Sequence, residues 1–241
     1  MHTRLIAAVL LTLSLFGCAS RPQVKLPTIT PALNPAHAAE IEAFERADAE
    51  AMPEPGRVLF IGSSSVRMWE TLAEDMAPVP VINRGFGGST TPEVLAVVDR
   101  IVFPYKPSVI VYYCGDNDLG TDNTDAESAA AGFIQFAELV HKKLPRTQIL
   151  YMSIKPSVAR WNNWEAMTRA NVLVARFCGK HTYAYYMDLA TPLLKDGKPD
   201  PSLFKEDGLH LNAEGYKRWT AIVQPRVLEA FRESYSGKLP F

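Results

Sequence analysis

The feature that most constrains this chain is an alternation of short apolar segments with longer stretches in which apolar residues recur every three or four positions. Arg57 to Ile61, Pro80 to Asn83, Ser108 to Tyr113, Gln148 to Ile154 and Tyr183 to Met187 are too short for helices, and most are too uniformly apolar for strands with one wet face. Strands of that kind are buried on both faces, which is the condition of a parallel sheet covered by helices. Between them, Val94, Leu95, Val98, Ile101 and Val102 share one helical face, as do Phe133, Phe136, Ala137 and Val140, and then Trp164, Met167, Val174 and Cys178. Ile41, Phe44 and Ala47 mark a first helix. Thr91-Pro92 reads as an N-cap and first helical residue. Asn212 caps a last helix with Ile222, Leu228 and Phe231 inward and Pro225 as a kink. The pattern predicts a doubly wound, three-layer α/β/α domain on a five-stranded parallel sheet, flavodoxin-like in kind. Ligand sites in such folds lie beyond the carboxyl ends of the strands.

Composition agrees with one folded domain. The 241 residues are 47% hydrophobic and 21% charged, which excludes a disordered or fibrous chain and is enough to bury a core without metal or disulfide staples. With 25 basic against 26 acidic residues there is no basic face to displace counterions, so nucleic acid is not an expected partner.

The first twenty residues, MHTRLIAAVLLTLSLFGCAS, belong to a different regime. Arg4 precedes an apolar run from Leu5 to Phe16 and then small residues, the layout of a secretory signal and too short for a membrane span. Leu15-Phe16-Gly17-Cys18 resembles the bacterial lipobox. That resemblance implies a signal peptide over residues 1–17 and lipidation of Cys18, and with Ala19 next it implies an outer-membrane anchor facing the periplasm. Residues 18–36 carry prolines at 22, 27, 31 and 35 with no hydrophobic period and read as a tether, leaving residues 37–241 as a single domain. Cys114 and Cys178, one ending an apolar strand and one on an apolar helix face, are expected as buried free thiols.

Three polar, glycine-containing turns follow the first three strands: Gly62-Ser63-Ser64-Ser65, Asn83-Arg84-Gly85-Phe86-Gly87-Gly88-Ser89, and Cys114-Gly115-Asp116-Asn117-Asp118. Far downstream comes Glu206-Asp207-Gly208-Leu209-His210-Leu211-Asn212. A serine, a histidine and a carboxylate are the parts of a nucleophilic acyl-transfer site. Of the five histidines only His210 combines an acid three positions before it with a glycine-loosened turn.

These four segments, in this order, resemble the sequence blocks of the SGNH hydrolase superfamily, also called the GDSL esterases and lipases, across the whole domain. The resemblance implies Ser64 as nucleophile, with Ser63 where the family usually has aspartate, His210 as base, and Asp207 as its partner. It further implies an oxyanion hole of the Ser64 N–H, the Gly88 N–H and the Asn117 side chain. The expected activity is hydrolysis of carboxylic (acyl) esters through a Ser64 acyl-enzyme, without metal or cofactor, on lysophospholipid-like or short-chain substrates. A carbohydrate O-acetylesterase of the same family and a non-catalytic binding lipoprotein on the same fold are the alternatives. Asp116 and Asp118 are expected to shape their loop by side-chain to backbone bonds, metal ligation being the other option. Trp161 and Trp164 either line a substrate pocket or pack a helix start. Arg67 and Trp69 are expected to pack the helix after Ser64, and His37, His141 and His181 to lie at the surface.

Overall fold

The computed structural model describes residues 25–120 and 124–236. Five strands, β1 (Val58–Gly62), β2 (Val81–Gly85), β3 (Val109–Tyr113), β4 (Gln148–Met152) and β5 (Ala184–Met187), form one parallel sheet in the order β2-β1-β3-β4-β5. The register aligns Val58 with Val81 and Val109, and Gly62 with Gly85 and Tyr113, so the first three strands end level. The order reverses at β1, and the crevice between the ends of β1 and β3 is the switch point at which doubly wound sheets bind ligands.

Helices cover both faces. Leu59, Ile61, Ile110, Tyr112, Ile149 and Tyr151 point to one side, against α1 (Ala38–Glu50), α4 (Thr91–Ala96), α5 (Val98–Ile101), α6 (Ala126–Lys143) and α7 (Trp164–Cys178). Val58, Phe60, Val109, Val111, Tyr113, Leu150 and Met152 alternate to the other, against α2 (Ser64–Arg67), α3 (Leu72–Asp75) and α8 (Ala213–Ser236). This two-sided burial is why the strands read as continuous apolar runs. A minor hairpin pairs Leu194–Lys195 with Lys198–Pro199.

Several expectations shift in detail. The helix expected from Thr91 breaks at Val97 into α4 and α5, and its N-cap is Thr90. The Glu93 carboxylate accepts from the Thr90 N–H (2.8 Å) and hydroxyl (2.7 Å), which favours a start one residue earlier. In α8, which continues through Pro225, the fully buried stripe is Tyr216, Trp219, Val223, Val227 and Ala230, with Ile222, Leu228 and Phe231 half-buried beside it. Asn212 caps α8 as expected, accepting from the N–H groups of Glu214 and Gly215. In α1, Ala47 faces solvent and Asp48 faces inward. Cys114 and Cys178 are buried free thiols.

The segment expected as a tether lies only partly outside the described residues. Residues 25–34 have neither helix nor strand, yet the backbone of Ile29 exchanges two hydrogen bonds with the Gln135 amide (3.0 and 2.9 Å), Ala32 N–H donates to the Pro92 carbonyl, and Ile29 and Leu33 pack against the core. Prolines suit such a strap, because it needs an extended backbone and few N–H donors. The signal peptide, Cys18 and the rest of the tether lie outside the described residues. Among the described residues, no helix is long and apolar enough to cross a membrane.

Asp48 fastens α1 to β2. Its carboxylate meets Arg84 Nη2 at 2.5 Å and accepts from the Tyr105 hydroxyl, while Arg84 Nε donates to the same hydroxyl at 2.6 Å. Burial, reinforced by the Asp48 carboxylate, pushes the Tyr105 phenol up to about 12. Removing one partner of a largely buried pair strands the other charge. Asp48→Ala is therefore expected to lower stability by about 3–5 kcal/mol, measured by urea unfolding, with a larger loss than Asp48→Asn.

Candidate active site

Sheet geometry brings the four polar segments together. β1 ends at Gly62, whose φ of +141° excludes ordinary side chains, and a Cβ there would come within 1.7 Å of the Tyr113 carbonyl oxygen. With no side chain, the turn closes against both neighbours: Ser63 N–H donates to Tyr113 O (3.0 Å) and Phe86 N–H to Gly62 O (2.9 Å). Ser64 then opens α2. Ser63 and Ser65 are fully buried, whereas Ser64 is half-buried, and its Oγ lies 3.0 Å from His210 Nε2. The other ring nitrogen, Nδ1, lies 2.6 Å from Asp207 Oδ2.

Asp207 Oδ1 also accepts from the N–H groups of Leu209 (2.8 Å) and His210 (2.9 Å), so the carboxylate folds its own turn and orients the ring. Burial works against the charged form, but the hydrogen bonds from the His210 ring and these two backbone groups outweigh it and hold the carboxyl well below its usual range. The loop carrying Asp207 is held by Ala159 N–H donating to Gly208 O (3.0 Å) and by Lys205 N–H donating to His210 O (2.7 Å).

In the loop after β2 Gly88 adopts φ +77°, and the Asn117 side chain bridges this loop and the one after β3 by donating from Nδ2 to Ser89 O at 2.9 Å. Asp118 ties the same loops again, accepting from the Thr91 N–H (2.9 Å) and hydroxyl (2.6 Å). The expected loop-shaping role is thus realised at Asp118, where it meets an N–H in the first turn of α4. Asp116 instead sits between buried Lys155 and Arg160, 3.4 Å from each. Among the described residues, no group of three or more His, Cys, Asp or Glu could hold a metal ion.

Residues 61–218 match the model of the GDSL-like lipase/acylhydrolase family. The chain belongs to that family. It is an ester-hydrolysing enzyme on the SGNH hydrolase fold. It is similar to the platelet-activating factor acetylhydrolase IB subunit alpha2 of Homo sapiens, 33% identical over 190 residues that cover 75% of this chain and 80% of that one. Among solved structures it resembles a GDSL-like lipase from Bacteroides thetaiotaomicron (22% identity, TM-score 0.67, covering 80% and 98% of the two chains). It also resembles a carbohydrate esterase family 3 protein from Talaromyces cellulolyticus (14% identity, TM-score 0.61, covering 74% and 99%).

Around this GDSL hydrolase site stand residues that no sequence motif announces. His37, expected at the surface, packs edge-on against Phe86 (5.5 Å between ring centres), lies 3.3 Å from Glu93, and borders Gly88. His141 stacks on Tyr183, and His181 Nδ1 lies 2.8 Å from Phe177 O, so neither is a plain surface residue either. Arg67 does not pack its helix: half-exposed, it lies over Gly87 and 3.7 Å from Glu40, whose carboxylate accepts from the Gly87 N–H. Trp69 is buried as expected. Trp164 stacks on Trp161 and packs against the Leu119–Met167 cluster, which favours the packing alternative for it.

Asp118 gives a pH test of this loop arrangement. Burial, opposed by the Thr91 hydrogen bonds, raises its carboxyl from 3.8 to about 6. The folded chain then holds a proton that the unfolded chain has released, so stability falls as pH rises through this window. In urea unfolding, the stability of the wild type relative to Asp118→Asn should fall between about pH 4 and 6 and stay level above; a flat difference contradicts it.

Proposed function

We propose that this hydrolase cleaves short-chain carboxylic esters, acetyl esters foremost, by a serine mechanism. The observation that carries the reading is the line of contacts from Asp207 through His210 to the Ser64 hydroxyl. A serine hydroxyl is a weak nucleophile until a base removes its proton during attack. His210 Nε2 takes that proton as Ser64 Oγ adds to the carbonyl carbon, and Asp207 holds the proton on Nδ1 and offsets the imidazolium charge. The carbonyl oxygen becomes an oxyanion facing the N–H groups of Ser64 and Gly88 and the second N–H of Asn117 Nδ2. His210 then passes its proton to the leaving alkoxide, leaving acyl-Ser64. In the second half the same base activates water, and collapse returns the proton to Ser64. The depressed Asp207 carboxyl stays ionised well below the usual carboxylate range, so its hold on the His210 ring persists there.

The short acyl preference rests on similarity: one relative is an acetylhydrolase by name and one structural neighbour a carbohydrate esterase. Lysophospholipid-like alcohols fit this reading as leaving groups. A carbohydrate O-acetylesterase is the second reading, favoured by the likeness to the carbohydrate esterase and by a cleft of about 250 Å³ beside Asn117 whose lining includes Thr124 and Ser128 as well as the apolar Ile29 and Pro92.

Hydrolysis of p-nitrophenyl esters from acetate to octanoate tests both halves. Ser64→Ala and His210→Ala are expected to abolish turnover with little change in melting temperature. Asp207→Asn should leave a rate reduced by about 10⁴. Asn117→Ala should lose roughly 10² to 10³ in kcat, the usual effect of removing one oxyanion donor. Acetate should exceed octanoate; the reverse order would move the substrate to longer acyl chains. Inactivity of folded wild type toward every ester would favour a binding lipoprotein over a catalyst.

A further inference from the structure

Behind Asn117 lies an arginine that belongs to none of the four motif segments. Arg160 follows β4, and its guanidinium donates from Nη2 to Asn117 Oδ1 (3.0 Å) and from Nη1 to the Asp116 carbonyl (2.8 Å). Nη1 also lies 3.4 Å from the Asp116 carboxylate, which Lys155 Nζ approaches at the same distance from the buried side. The slot is shaped for this group. A Cβ on Gly120 would come within 2.6 Å of Arg160 Nε and 2.7 Å of Cζ, and the Arg160 N–H is itself held by Ser157 Oγ (3.2 Å).

A side-chain amide has two nearly isosteric orientations. Turned one way, Asn117 offers N–H to a developing oxyanion; turned the other, it offers a lone pair and repels it. Arginine carries donors only, so it accepts the oxygen end of the amide and excludes the nitrogen end. Ser89 O, an acceptor, selects the nitrogen end on the opposite side. The Arg160 charge also offsets that of Asp116, which would otherwise face the negative charge that forms in the transition state. Donors aimed in advance need no reorganisation as charge develops.

We propose that Arg160 is the positioning residue of the Asn117 oxyanion donor, locking the amide with its N–H toward the substrate; this rests on the esterase reading of Ser64 and Asn117. Lysine has one charge and no fork, so Arg160→Lys keeps the ion pair with Asp116 but cannot hold the Asp116 carbonyl and the Asn117 oxygen together. Gly120→Ala keeps Arg160 but pushes the guanidinium from its slot.

The test is p-nitrophenyl acetate hydrolysis by the full chain carrying Arg160→Lys, Gly120→Ala, Asn117→Ala and the pairwise combinations, with Ser64→Ala as the inactive reference. Arg160→Lys should lower kcat roughly 10- to 100-fold with KM unchanged, and add nothing in the Asn117→Ala background. Gly120→Ala should reproduce both results, and serves alone if Arg160→Lys fails to fold. Equal losses with and without Asn117, or a loss confined to KM, would overturn the assignment while Ser64→Ala stays dead. An active Ser64→Ala would instead overturn the esterase reading and the inference with it. Independently of turnover, the Asn117 side-chain amide resonances, identified by their loss in Asn117→Ala, should shift in Arg160→Lys; unmoved resonances overturn the proposal.

Discussion

The site depends on how closely the chain turns at the end of β1. Gly62 approaches the Tyr113 carbonyl so nearly that no side chain fits, and the two backbone hydrogen bonds that close the turn run to the last residue of β3 and to the loop after β2. That contact fixes the start of α2, hence the Ser64 hydroxyl, against the strands that carry Gly88 and Asn117. β1 and β3 are buried along their whole length, and β4 from Ile149 to Met152, so none of these three can shift without disturbing one of the two packed cores. The segments carrying Ser64, Gly88 and Asn117 are therefore held by the sheet and its first turns, the support that the proposed placement of donors requires.

Charge is divided around this frame by solvent access. Asp207 and His210 stand at the open side, both partly exposed to solvent. Asp116, Lys155 and Arg160 are largely withdrawn from water behind Asn117. Burying such a cluster costs desolvation energy that a hydrophobic cluster would avoid, so a merely structural role would be a poor use of it. In the role proposed for it, its position against the amide of Asn117 does what apolar packing cannot, because only a fixed donor distinguishes one end of an amide from the other. The N-terminal strap adds a further restraint, with Asn34 N–H and His37 both reaching the Glu93 side chain next to the Gly88 loop.

Fold and site were unequally legible in the sequence. The sheet could be read because two-sided burial writes an unbroken apolar run, and the motif residues because each lies at a strand end or, for Asp207 and His210, within one turn. Arg160 could not be read this way: it meets Asn117 from 43 positions away, across loops whose approach depends on the order of β3 and β4 in the sheet. The strap was misread because isolated Ile29 and Leu33 among prolines carry no period, and their partners Gln135 and Pro92 are distant in the chain. The inward stripe of α8 fell on Val223 and Val227, because buried Tyr216 and Trp219 set the helix rotation and the apolar residues beside them fill an adjoining face.

In the proposed mechanism the Ser64 Oγ, activated by His210, is the atom that becomes acylated. Labelling the folded chain with a fluorophosphonate and locating the adduct by peptide mass spectrometry tests it directly. One adduct, on Ser64, absent after His210→Ala, is the predicted result; an adduct on Ser63 or Ser65, or labelling indifferent to His210, would contradict the account.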